Sequence, residues 1–169
     1  MDLQLKPISK TSIPAAIEKI QLYRYLNEPE EAESICLDIL AAEPGHQLAR
    51  RLLGLCITDQ FSGSELDRYA EAQQAFDRLT DAYERHYYSG LLAERRAKAQ
   101  LHAGRPPHTL RVLFETAMTH FAEAEKIRHP DNDEAILRWN RCVRLLHHLP
   151  GLEEEVSAEM FETSDSPPA

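Results

Sequence analysis

Residues 30–54, EEAESICLDILAAEPGHQLARRLLG, hold two runs of helical periodicity separated by a single Pro-Gly step. In the first run Ala32, Ile35, Cys36, Ile39 and Leu40 fall at i, i+3, i+4, i+7 and i+8, one apolar stripe on a helix. Pro44 cannot donate an intrahelical hydrogen bond and Gly45 favours a turn, so the helix stops there. The second run, from about Gln47 to Thr58, carries Leu52, Leu53 and Cys56. Two short helices with one apolar stripe each must cover one another. The stretch therefore reads as a joint between helices, and the fold turns on whether the joint recurs.

Breakers divide the flanking sequence in the same way. A first helix is predicted over 14–26, with Pro14 tolerated in its first turn and Asn27 supplying the left-handed residue that ends it. Pro29 then opens the second helix, with Glu30 and Glu31 at its positive end. Beyond a loop at 59–67 that contains Gly63, a fourth helix carries Tyr69, Ala72, Phe76, Leu79 and Tyr83, with its boundary near Arg85. A fifth spans about 86–103 and ends at Gly104 before the turn Arg105–Pro107. The sixth shows Leu110, Phe114, Ala117, Phe121, Ala124 and Ile127. HPDNDEA at 129–135 breaks it, with Asp131 and Glu134 spaced as a capping box. A last helix places Ile136, Trp139, Val143 and Leu146 on one stripe and ends by Pro150. No segment alternates with period two for long enough to be a strand, so the fold class is all-α.

Length and composition bound the rest. A chain of 169 residues, 43% hydrophobic and 28% charged, suits one soluble domain. The organisation expected is an N-terminal arm over 1–12, a helical domain over 13–150 and a flexible acidic, proline-containing tail over 151–169. Within that tail, GLEEEVSAEMF at 151–161 reads as a short acidic helix or a free peptide motif. A net charge of −9 argues against sequence-independent nucleic-acid binding, which needs clustered cations. The N-terminal residues lack a secretory pattern, and no apolar run is long enough to span a membrane. Cys36, Cys56 and Cys142 each lie within an apolar helical pattern, which reads as reduced core packing in a cytoplasmic protein.

The second helices of successive pairs share a pattern: Ala32-x3-Cys36-x2-Ile39, Ala72-x3-Phe76-x2-Leu79 and Ala117-x3-Phe121-x2-Ala124. A small residue admits a close neighbour, and bulky ones follow one and two turns later. On these residues the chain resembles the tetratricopeptide repeat (TPR) family, whose unit is a pair of antiparallel helices with a small–aromatic–small signature and a closing proline. Pro44 fits that proline. Leu53, Gly54 and Ile57 fit the Leu-Gly pair and the following aromatic position, and Gly54 is the one clear match to the family's glycine. The alanines lie 40 and 45 residues apart rather than 34, intervals that also suit HEAT-like pairs or an irregular helical bundle. The resemblance implies a right-handed stack of about three antiparallel helix pairs, a TPR-like α-solenoid, closed by a C-terminal capping helix.

In that family the first helix of each pair lines a concave face that takes peptides. The corresponding face is expected to carry Arg24 in the first unit, then Arg51 and Leu55 in the second. Tyr88, Leu91, Arg95 and Lys98 follow in the third, and Arg141 and Arg144 in the last helix. The lining is cationic although the chain holds 28 acids and 19 bases. It would suit an acidic or C-terminal-carboxylate peptide, with arginines as bidentate donors and Leu55, Tyr88 and Leu91 as apolar anchors. The alternative for Arg24, Lys98 and Arg144 is the ordinary preference of cations for helix C-termini.

Other candidates are weaker. Trp139 shares its stripe with Ile136, Val143 and Leu146, so it reads as a core anchor rather than a ligand-stacking ring. HYYSG at 86–90 reads as packing before ligand anchoring. His147 and His148 are adjacent and point about 100° apart, and His120-x-x-Glu123 lacks a second such pair, so no metal is expected. Phosphate loops and nucleophile elbows are absent, and neither cofactor nor catalysis is expected. The expectation is a non-catalytic protein-interaction adaptor. Its competitors are a self-associating subunit stacking through Ile17, Ile20 and Tyr23 of the first helix, and a helical enzyme without a recognisable motif.

Overall fold

The computed structural model describes residues 3–149. The acidic segment and tail expected after Pro150 lie outside the described residues. Within them the chain is all-α, with no strand. Its helices are α1 (Ile13–Tyr25), α2 (Pro29–Ala42), α3 (Gln47–Asp59), α4 (Tyr69–Asp77), α5 (Ala82–His102), α6 (Arg111–Lys126) and α7 (Glu134–His148). Each helix packs on the next, and α1 touches α3, α3 touches α5 and α5 touches α7.

The breakers act as their chemistry requires. Asn27 takes φ 61° and closes α1 with a Schellman motif, in which the Glu28 and Asn27 amides donate to the Tyr23 and Arg24 carbonyls at 2.8 and 3.1 Å. Gly104, at φ 85°, closes α5 the same way through Arg105 to Gln100 and Gly104 to Leu101, both at 3.0 Å.

Two helix starts differ from expectation. The fourth helix does not run to Tyr83: it stops at Asp77, and α5 begins at Ala82. Asp81 caps α5 by accepting from the Glu84 amide at 2.8 Å, and this satisfies an otherwise unpaired donor of the first turn. Arg85 reaches back to the Leu79 and Thr80 carbonyls at 2.7 and 2.9 Å, closing the turn from the other side. At α7 the expected capping box at Asp131 does not form. The Asn132 side chain accepts from the Glu134 amide at 3.0 Å instead.

Two apolar cores share α5. The first joins α1–α4 with Leu91 and Leu92 of α5; the second joins Ala93 and Ala97 with residues of α6 and α7. All nine residues of the alanine-anchored pattern are buried: Ala32, Cys36 and Ile39, then Ala72, Phe76 and Leu79, then Ala117, Phe121 and Ala124. Gly54 faces the Phe76 ring, and a Cβ there would lie 2.4 Å from it. Gly90 faces Phe121 in the same way, with a Cβ 2.7 Å from that ring. The sequence pattern identified only the first of these glycines. The second is preceded by serine where the first has leucine, which conceals it.

Candidate functional site

Each cationic side chain selected from the sequence on α1, α3 and α5 meets a carboxylate. Arg24 at the end of α1 donates through Nε to Asp59 at 2.7 Å, and Arg95 of α5 donates to the same carboxylate and to the Thr58 hydroxyl at 2.7 Å. Arg51 of α3 donates to Glu84 of α5 at 2.5 Å. Lys98 lies 3.3 Å from the fully buried Glu94, which Arg138 of α7 approaches from the other side at 3.5 Å. Charge thus ties α1 to α3, α3 to α5 and α5 to α7. Leu55 and Leu91 are buried in the first core. Arg141 and Arg144 stay exposed, and among the described residues neither has an ion pair or hydrogen bond.

The selected face is therefore not one continuous cationic strip. Arg95 and Lys98 border a hollow of about 210 Å³ together with Thr58, Asp59 and His102. Arg51 and Tyr88 border a separate cleft of about 760 Å³. Three segments build that cleft: the first turns of α3 (Gln47, Arg51), the turn into α5 and its first two turns (Thr80–Tyr88), and the α6–α7 connection (Ile127–Pro130, Asn132, Glu134).

Tyrosines make the aromatic wall. Tyr83 stacks on Tyr87 at 5.8 Å between ring centroids, Tyr87 meets Tyr88 edge-on at 5.0 Å, and Tyr88 stacks on Phe76 at 5.3 Å. HYYSG thus packs against the preceding pair, as expected, while Tyr88 also borders the cleft. Arg51 lies 5.9 Å above the Tyr88 ring and donates to Glu84 through Nη1 alone. Its second terminal nitrogen has no partner among the described residues. Arg128 pairs with Asp133 at 2.8 Å and donates to the Pro130 and Asn132 carbonyls at 2.9 and 3.0 Å, folding the connection that closes the cleft. Ile127 adds an apolar rim, 51% exposed.

Burial pushes the Tyr88 hydroxyl up to about 12, and burial also raises that of Tyr83. Both are protonated donors at neutral pH. The cleft offers ring faces and one guanidinium with a free donor edge, a set that can stack on a ligand and hydrogen-bond to it.

His120 is half-buried beside His86, with ring centroids 6.2 Å apart; burial, then the neighbouring imidazole, lowers its pKa. Glu123 pairs instead with Lys126 at 2.6 Å. Among the described residues no three His, Cys, Asp or Glu side chains are placed to hold a metal ion, and no helix is long and apolar enough to cross a membrane. Trp139 packs with Leu146 on the second core, whereas Ile136 and Val143 of the same stripe lie outside both cores. Of the α1 residues considered for stacking, Ile20 is buried and Ile17 and Tyr23 pack on the first core; Leu22, Tyr25 and Leu26 are the exposed apolar ones.

No protein-family model matches the chain, and no curated protein or solved structure matches it.

Proposed function

We propose that the chain is a non-catalytic, cytoplasmic protein–protein interaction adaptor: a short TPR-like α-solenoid of three helix pairs closed by α7. It receives a peptide segment of a partner protein in the cleft between α3, α5 and the α6–α7 connection. Sequential helix packing, contacts between alternate helices and the recurring glycine–phenylalanine approach support the stack. The observation that carries the binding role is the open cleft of about 760 Å³ in which Arg51 and the tyrosines converge. A partner carboxylate, from an acidic side chain or a chain terminus, takes the free edge of Arg51. An apolar side chain beside it packs on Tyr88 and Ile127. Helices already held by Asp59 and Glu84 lose little entropy on binding.

Display selection of peptides on the full chain tests this. Peptides rich in Asp, Glu or a free carboxylate should be enriched. Arg51→Gln and Ile127→Glu should each weaken them at least tenfold, with the fold retained and the melting temperature lowered by no more than a few degrees through loss of the Arg51–Glu84 pair, and Leu66→Glu, far along the 59–67 loop, should not. Equal binding to all three variants overturns the assignment.

One observation favours a second reading. The exposed trio Leu22, Tyr25 and Leu26 ends α1 with an apolar edge, as a self-associating subunit would. Sedimentation of the Tyr25→Glu chain decides between them: a dimer lost in that variant supports self-association, and a monomer in both chains removes it.

A further inference from the structure

Helix α7 ends the described fold with one side uncovered. Leu137 is 65% exposed, and Ile136 and Val143 are half-buried yet belong to neither core. Arg141 and Arg144 are exposed beside them without an acidic partner among the described residues. The helix carries three arginines, two histidines and a single acid, Glu134, within a chain of net charge −9. This side is apolar and cationic together, so its occupant must be apolar and acidic.

The sequence just beyond α7 has that composition. Residues 151–169 contain six acids and no Lys, Arg or His. Leu152, Val156 and Met160 recur every fourth position, the spacing of one helical face, and Glu153, Glu154, Glu155, Glu159 and Glu162 flank them. Pro150-Gly151 is a turn-forming step that separates them from Leu149 by two residues, so bringing the segment back onto α7 carries a small closure entropy.

We propose that residues 152–162 of the same chain dock on α7, with Leu152, Val156 and Met160 against the uncovered apolar side that Val143 borders and the glutamates against Arg141 and Arg144. The acidic ligand expected for these two arginines is then the chain's own C-terminal segment. This rests on α7 alone and stands apart from the peptide cleft at α3 and α5.

Amide exchange on the full chain tests the docking, together with acrylamide quenching of Trp139, the chain's one tryptophan. Val156→Asp with Met160→Asp leaves every residue of α1–α7 intact. It should speed exchange across α7 at least tenfold and raise Trp139 quenching, with α2–α4 unchanged. Arg141→Glu with Arg144→Glu should do the same, and adding Glu155→Lys with Glu159→Lys should restore slow exchange. Unaltered α7 exchange in the aspartate variant overturns the proposal, and so does failure of the charge swap to restore protection. Protection that vanishes on dilution together with a dimer mass also overturns it, because a second copy would then be the cover.

Discussion

Gly54 of α3 meets the ring of Phe76 across the α3–α4 contact, close enough that a single added methyl group would sit 2.4 Å from it. Alanine at this position therefore has two opposed effects. It favours the helix by about 1 kcal/mol over glycine, and it forces a fully buried aromatic ring off its seat, at about 1–3 kcal/mol. The steric effect is the larger. Gly54→Ala should lower stability by up to about 2 kcal/mol, read as a lower urea midpoint at constant m. Gly54→Ala combined with Phe76→Leu should recover part of the loss, because the smaller side chain relieves the clash.

Asp59 accepts from both Arg24 and Arg95, so one carboxylate serves three helices. Asp59→Asn keeps the shape and removes the charge. All three side chains are about a fifth to a quarter exposed, so solvent screens the pairs. A loss of about 1 kcal/mol is expected, less in high salt. Thermal melts of wild type and Asp59→Asn at low and high ionic strength should converge as salt rises.

Alkaline pH should weaken the fold through buried groups. Burial raises Cys142 from its ordinary 9.0 and Tyr88 from 10.0, each to about 12. Unfolding releases both to their ordinary values. Their contribution is therefore fully present below about pH 9 and is lost as pH climbs toward 12. Urea midpoints measured at pH 7, 9 and 10.5 should fall along that series, and Cys142→Ala should flatten the decline.

Glu33 of α2 receives both terminal nitrogens of Arg68 at 2.7 and 2.5 Å, and Gln60 donates to it at 2.7 Å. The Arg68 hydrogen bonds pull its carboxyl below the ordinary 4.5. This stability is present above pH 4.5 and is lost as pH falls through the lowered value. Arg68 is about a third exposed, so solvent screens the pair, and Arg68→Ala should cost about 1 kcal/mol at pH 7. The gap between variant and wild type should narrow in acid, and a gap that stays constant to pH 2 would show the pair to be a minor contributor.

Periodicity and breakers made most of the architecture legible. The Pro44-Gly45 step, Asn27 and Gly104 end helices where their backbone chemistry demands it, and the nine positions aligned on the alanines are all buried. The α4–α5 boundary was hidden because Leu79-Thr80-Asp81 contains no glycine or proline. Its signal was Asp81 three residues before Glu84, the same spacing that misplaced the α7 cap at Asp131 when Asn132 was the better acceptor. The site was less legible. Helical spacing put Arg24, Arg51 and Arg95 on one face, but it gave no warning that Asp59 and Glu84 project from neighbouring helices to meet them. A one-dimensional pattern records which side a residue faces and is silent about what stands opposite. Tyr83 and Ile127 fell on the stripes read for the fourth and sixth helices, but they line the cleft because α5 starts at Ala82 and α6 ends at Lys126; Arg128 lies in the connection, where periodicity carries no information.

Asp59 lies at the last residue of α3, whereas the cleft opens at the first turns of α3 and α5, about 18 Å away. Arg51 and Glu84 fasten the same two helices at that opposite end, so α3 and α5 are joined at both ends like the rails of a ladder, and the cleft opens in a frame rather than beside a hinge.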